Sequence, residues 1–177
     1  ADGPIWGPIG ITQVLEQSRD TAHWTTPLGE PDSLGKKRGR GMAVGFWRNG
    51  GRRSVGTLNL NSDGIVSLIE GSVDIGGSRA SIAMQAAEVL CIPMEDIRPS
   101  IASTNSVGYT DNTGGSRTTY ATGMASYRAA ELMIEELKVR VSKIWDINSS
   151  EVVFDGGTFQ AMQDAELQSM SMTFKEL

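Results

Sequence analysis

The tetrapeptide Gly-Gly-Ser-Arg occurs twice, at Gly76–Arg79 and at Gly114–Arg117, and each copy stands directly before a helical run. Paired glycines let the backbone take conformations that side chains forbid, and they let a ligand approach it closely. A helix that begins at once leaves its first amides without intrahelical partners. A chain like this must therefore make two tight loop-to-helix turns of the same composition. Glycine usage agrees: 21 of 177 residues, about 12% against a typical ~7%. The rest of the composition narrows the chemistry. Net charge is −5, which disfavours a nucleic-acid partner held by phosphate neutralisation. One His (His23) and one Cys (Cys91) exclude a disulfide framework and a His/Cys metal cluster within the chain. A Ser-His-Asp or Cys-His centre would have to use His23, which lies in a plain polar stretch.

The spacing of apolar residues predicts an amphipathic helix over Gly10–Trp24, carried by Ile11, Val14, Leu15 and Ala22. Thr25–Arg40 reads as loop, with three glycines, two prolines and the basic run Lys36-Lys37-Arg38, which reads as a solvated face. Three strands are expected next, Gly41–Arg48, Arg53–Asn61 and Gly64–Val73, joined by turns at Asn49-Gly50-Gly51 and Asn61–Gly64 into an antiparallel meander. A buried helix follows over Ser81–Leu90 and stops at Cys91-Ile92-Pro93. Ile97–Ala102 is a short strand, and Thr118 to about Lys143 is the longest helix. Val152–Phe154, Thr158–Met162 and Glu166–Met170 are the last strands, around the turn Asp155-Gly156-Gly157. The order predicts an α+β fold in one domain over 1–177, a mainly antiparallel sheet with helices packed on it. Cys91 is expected in the core and His23 on the surface or at a helix end.

The first loop, Gly71–Arg79, joins a strand to the buried helix. Free amides at the helix start favour an anion, with Ser78 as a cap and Arg79 as a fork for phosphate. The second, Thr113–Thr119, repeats these parts before the long helix; it lacks the lysine of a Walker A loop. Both also suit plain turns in which Ser78, Ser116 and Thr118 only cap helices and Arg117 is solvated. Asp74 and Asp111 flank the loops, as candidates either to orient their backbones or to serve as plain capping or turn residues. Glu88 and Glu131 have no evident partner, so no general base is assigned.

Four stretches taken together resemble the molybdopterin-binding large subunit of the xanthine oxidase and aldehyde oxidase family, to which carbon monoxide dehydrogenase belongs. They are Lys37–Ala43, Gly71–Ser78, Met84–Ile97 and Gly115–Thr119 followed by Gly123-Met124-Ala125. The resemblance implies a pterin-dithiolene molybdenum cofactor, possibly in the cytosine dinucleotide form, whose metal is held by the cofactor's own sulfurs. By analogy Gly76, Gly77 and Ser78, with Arg79, line one wall, and Gly115, Ser116, Arg117, Thr118 and Thr119 the other, near pterin and pyrophosphate. Many members carry Gly-Gln-Gly in the first loop, whereas Gly76-Gly77-Ser78 is one residue shorter. The family's catalytic glutamate lies well towards the C-terminus of the subunit. The general base is thus expected outside residues 1–177, and no residue here is expected to be catalytic. Both ends read as cut, so the chain is expected to be a piece of a larger cytoplasmic oxidoreductase acting on a small molecule, with iron–sulfur and flavin partners. A non-catalytic interaction module and a simple nucleotide binder are the alternatives. No apolar run approaches the ~18 residues of a membrane span.

Overall fold

A computed structural model of the chain describes residues 7–47, 50–103, 105–162 and 170–177. Contacts divide it into two units, Ala1–Phe46 and Trp47–Leu177. In the first, the expected single helix is two: α1 (Ile11–Arg19) and α2 (Ala22–Thr25). The break has a side-chain cause. The Ser18 hydroxyl donates to the Val14 carbonyl at 2.7 Å, the Thr21 hydroxyl donates to the Ser18 carbonyl at 2.8 Å, and Thr21 is extended. Such local bonds compete with the helix ladder. Residues 41–47 form no strand, which corrects the expectation of a strand over Gly41–Arg48; Arg48 itself lies outside the described residues.

The second unit holds the core. Strand β1 (Gly56–Leu60) pairs antiparallel with β2 (Val66–Glu70), Leu60 opposite Val66 and Gly56 opposite Glu70. Between them Gly64, at φ +75°, gives its amide to the Asn61 carbonyl at 3.0 Å, the expected turn. The third member of this sheet is β3 (Ile97–Ile101), which runs parallel to β2. The expected meander is therefore a hairpin plus a βαβ crossover. A parallel neighbour needs a long connection, and helix α3 (Ser78–Leu90) supplies it. Helix α3 ends at Cys91 in the left-handed region, with the Ile92 amide reaching back to the Ala87 carbonyl at 3.2 Å. That position turns the Cys91 thiol out to solvent, correcting its expected place in the core.

The long helix α4 (Gly123–Trp145) packs along α3 through small residues. A Cβ on Gly123 would collide with the Gln85 amide, and Ala83, Ala86, Ser126 and Ala130 are buried in the same layer. Farther along, α4 meets a second sheet of β4 (Val152–Asp155), β5 (Thr158–Ala161) and β6 (Ser171–Thr173), antiparallel throughout. Gly156 and Gly157 both have positive φ, as a two-residue hairpin demands. Phe154, Phe159 and Phe174 stack there with centroids 4.9–5.6 Å apart. Glu166–Ser169 of the last expected strand lie outside the described residues. Three of the four strand pairings are antiparallel, so the α+β assignment with a mainly antiparallel arrangement holds.

Candidate functional site

The first Gly-Gly-Ser-Arg copy lies between β2 and α3. Gly76 and Gly77 have φ +58° and +82°, and no heavy atom stands within 4 Å of where a Cβ would lie on either. This backbone is open to a ligand. The helix start beside it is not an empty anion site. The Ser78 amide donates to the Ile75 carbonyl at 3.1 Å, and those of Ala80 and Ser81 donate to Gly77 at 3.1 and 3.4 Å. The Arg79 amide donates to the Asp74 carboxylate at 3.0 Å, and Arg79 Nε lies 3.5 Å from the same group. Asp74 thus supplies the negative charge that a helix N-terminus attracts, which corrects the expectation of free amides at this helix start. Ser78, buried, is the first helical residue and not the cap. Its hydroxyl accepts the Ile75 amide at 3.0 Å and donates to the Val73 carbonyl.

The second copy leads into α4 through a wide π turn over Thr118–Thr122. Here the positive φ values fall on Gly115 (+64°) and Ser116 (+56°), one step later in the tetrapeptide than in the first copy. Arg117 then points inward and is completely buried, which overturns the reading of a solvated arginine. Its Nε donates to the Gly51 carbonyl at 2.7 Å, Nη1 to the Asp111 carbonyl at 2.8 Å, and Nη2 to the Arg53 carbonyl at 2.6 Å and to Ser54 Oγ. A planar fork with fixed donors suits such a cluster of acceptors. Arg117 therefore sews residues 51–54 and 111 to the start of the helix. Thr118 is buried, its hydroxyl 3.5 Å from Thr113 Oγ1, while Ser116 and Thr119 are on the surface.

The two loops meet behind this surface. Ser72 Oγ of the first lies 2.6 Å from Thr122 Oγ1 at the end of the π turn that follows the second, and Thr122 Oγ1 lies 3.0 Å from Ser54 Oγ. Glu70, at the end of β2, is 1% exposed. Its Oε2 accepts the Ser72 amide at 2.5 Å, and burial holds its carboxyl above the usual glutamate range. Asp111 behaves oppositely. Its Oδ2 accepts the Arg53 amide at 3.0 Å and its Oδ1 the Tyr109 hydroxyl at 3.0 Å, so its pKa is lowered and that of Tyr109 is raised.

Beside the second loop opens a cavity of about 440 Å³ lined by Trp47, Gly50, Arg52, Asn112, Gly114 and Gly115. Arg52 is exposed and its Nη1 donates to Asn112 Oδ1 at 2.8 Å, which aims the guanidinium along the wall. A ring face, a cation, an amide and glycine backbone suit a planar anionic ligand. Trp47, Arg52 and Asn112 were not singled out by sequence. Asn49–Arg53 reads as a hairpin turn followed by a strand, and only the fold brings it beside Gly114. Among the described residues no group of three or more His, Cys, Asp or Glu is placed to hold a metal ion.

An α+β unit whose paired glycine loops lead into two packed helices, with a polar cavity beside one of them, is a cofactor-binding domain in form. The chain belongs to the molybdopterin cofactor-binding domain family, whose sequence profile matches residues 15–177. It is 34% identical over 82 residues to xanthine dehydrogenase of Emericella nidulans, a stretch that is 46% of this chain and 6% of that protein. The fold is similar to CO dehydrogenase from Oligotropha carboxidovorans (TM-score 0.61, 23% identity). It is also similar to quinoline 2-oxidoreductase from Pseudomonas putida 86 (TM-score 0.57, 24% identity). Each match covers 70% of this chain and 15% of the solved one, so the chain spans a small part of its relatives' length. No helix among the described residues is long and apolar enough to cross a membrane.

Proposed function

We propose that the chain forms part of the cleft that holds a molybdenum–pterin cofactor in a larger molybdenum hydroxylase. The observation that carries this reading is the hydroxyl contact between Ser72 of the first Gly-Gly loop and Thr122 of the turn that follows the second, in a chain matched by the family profile. The open backbones of Gly76 and Gly77 form one wall, with Arg79 at its edge. Gly115, Ser116 and Thr119 form the other. Ser78, Arg117 and Thr118 act from inside by holding the loops in shape. Arg52 and Asn112 carry the polar contacts in the cavity next to Gly115, the place suited to the phosphate-bearing part of the cofactor. When bound, the cofactor supplies the metal, held by its own sulfurs, and the redox chemistry; the chain supplies position and electrostatics.

The whole protein would act in the cytoplasm on an aldehyde, a heterocycle or a similar small molecule. Electrons would leave through iron–sulfur and flavin groups on partner chains or segments, and the cofactor would be the plain pterin or its cytosine dinucleotide. Metal analysis of the full-length protein tests the reading. We expect molybdenum near one atom per chain, with pterin released on denaturation. Protein free of both, from cells that load another molybdenum enzyme, would overturn it.

A further inference from the structure

We propose that Thr122 is the positioning residue of the candidate site, the middle link of a buried hydroxyl chain that runs from Arg117 to Glu70 and makes the two loops move as one. The inference rests on the cofactor reading for its purpose, but its geometry is independent of it. Five side chains from three separate segments are involved, and four of them, Arg117, Thr122, Ser72 and Glu70, are buried. Arg117 Nη2 donates to Ser54 Oγ. Ser54 Oγ lies 3.0 Å from Thr122 Oγ1, and Thr122 Oγ1 lies 2.6 Å from Ser72 Oγ. The Ser72 amide donates to Glu70 Oε2 at 2.5 Å.

The hydrogens available match the contacts of this chain. A guanidinium only donates, and each hydroxyl carries one hydrogen. With Arg117 donating to Ser54, the Ser54–Thr122 and Thr122–Ser72 contacts each have a hydroxyl hydrogen to fill them, and the Ser72 amide closes the chain on Glu70. A cation stands at one end and an acid at the other, and neither forms a direct ion pair with another described residue. Chains of this kind polarise along their length in a low-dielectric interior. Thr122 is the one member that touches both sides. Ser72 and Glu70 belong to the first loop and its strand, whereas Ser54 and Arg117 belong to the frame of the second. Its β-branched side chain on a π turn holds one rotamer more firmly than serine would.

The test compares the full-length protein with its Thr122→Val and Thr122→Ser variants. Valine keeps the shape and removes the hydroxyl; serine keeps the hydroxyl. Two readouts are taken: amide hydrogen exchange at 71–78 and 111–118, and molybdenum content. For Thr122→Val we expect exchange to quicken in both loops together by about tenfold, the scale of one lost buried hydrogen bond. Molybdenum content should fall severalfold, and Thr122→Ser should restore both. Quickening in one loop only, or in neither, overturns the coupling. Quickening in both with unchanged molybdenum overturns the positioning role. Wild-type protein without molybdenum would defeat the cofactor reading, and the exchange data would still decide the coupling. If Thr122→Val does not fold, Ser72→Ala cuts the same link from the other side and is read in the same way.

Discussion

The two Gly-Gly-Ser-Arg segments are identical in sequence and opposite in use. At Gly76–Arg79 the left-handed residues are the two glycines, the serine turns in and the arginine stays on the surface beside Asp74. At Gly114–Arg117 the left-handed pair is Gly115 and Ser116, and it is the arginine that turns in, to be completely buried. A shift of one residue in backbone conformation exchanges inside for outside. Local composition sets the kind of turn, and the surrounding chain selects its phase. Around the second copy the carbonyls of Gly51, Arg53 and Asp111 converge on one point and need a donor with several N–H groups. At the first, the Asp74 carboxylate takes the Arg79 amide and faces its guanidinium.

The sharpest way to break this comparison is to remove each arginine. Arg117→Ala leaves three carbonyls and the Ser54 hydroxyl without their donor, so it should cost roughly 3–5 kcal/mol, as the loss of one partner in a buried charged network does. Urea unfolding of the chain would measure it. Arg117→Lys should recover little, because a point charge cannot reach acceptors spread over the planar fork. A loss below about 1 kcal/mol for Arg117→Ala would show that the buried guanidinium is not what holds 51–54 and 111 in place.

The phase shift itself predicts unequal costs at the glycines. Gly77 stands at φ +82°, so alanine there should cost about 1–2 kcal/mol. Gly114 is not left-handed, and the nearest atom to its virtual Cβ is Asn112 Nδ2 at 3.6 Å. Alanine at 114 should therefore stay within about 0.5 kcal/mol. Equal costs at both positions, measured by thermal unfolding, would mean that the two loops share one phase.

These pairs also show what was legible in the sequence. The helices α3 and α4, the strand over Ile97–Ile101 and the hairpin turns at Gly64 and Gly156-Gly157 follow from periodicity and turn chemistry, which are local. The parallel pairing of β2 with β3 does not, because it is decided by where α3 returns the chain. The burial of Arg117 was equally hidden: arginine is almost never fully buried unless paired, and its acceptors lie 6 to 66 residues away in sequence. The family likeness was legible from Gly71–Ile97 and Gly115–Ala125 as a set. The cavity residues Trp47, Arg52 and Asn112 were not, since a turn and a loop are brought together only by the fold.

Acidic residues extend the contrast to pH. Glu70 is buried and its pKa is raised, mainly by desolvation, with Asp74 adding to the rise and Ser72 and Arg79 opposing it. Between its unfolded and folded pKa values the folded chain binds more protons, so stability falls as pH rises through that window. Glu70→Gln should flatten this part of the profile. Asp111 is lowered, chiefly by the Arg53 amide and the Tyr109 hydroxyl. Its contribution is present above the ordinary aspartate pKa and is lost as pH falls through the folded value. Asp111→Asn should therefore flatten the acid limb and leave the Glu70 window alone. One profile measured for the three proteins decides whether the slopes have opposite sign.

The smallest effect expected is at Arg79, and it is the one that closes the comparison. Its guanidinium is half exposed and lies 3.5 Å from Asp74, a geometry that contributes little in water. Arg79→Ala should change stability by no more than about 0.5 kcal/mol. Asp74→Ala should cost about 1 kcal/mol, because the carboxylate also takes the Arg79 amide at the start of α3. The order Arg117 well above Asp74, and Asp74 above Arg79, follows only if the same tetrapeptide is an internal brace in one place and a solvent-facing edge in the other. An Arg79→Ala variant as damaged as Arg117→Ala would mean that sequence identity, and not burial, governs what these arginines do.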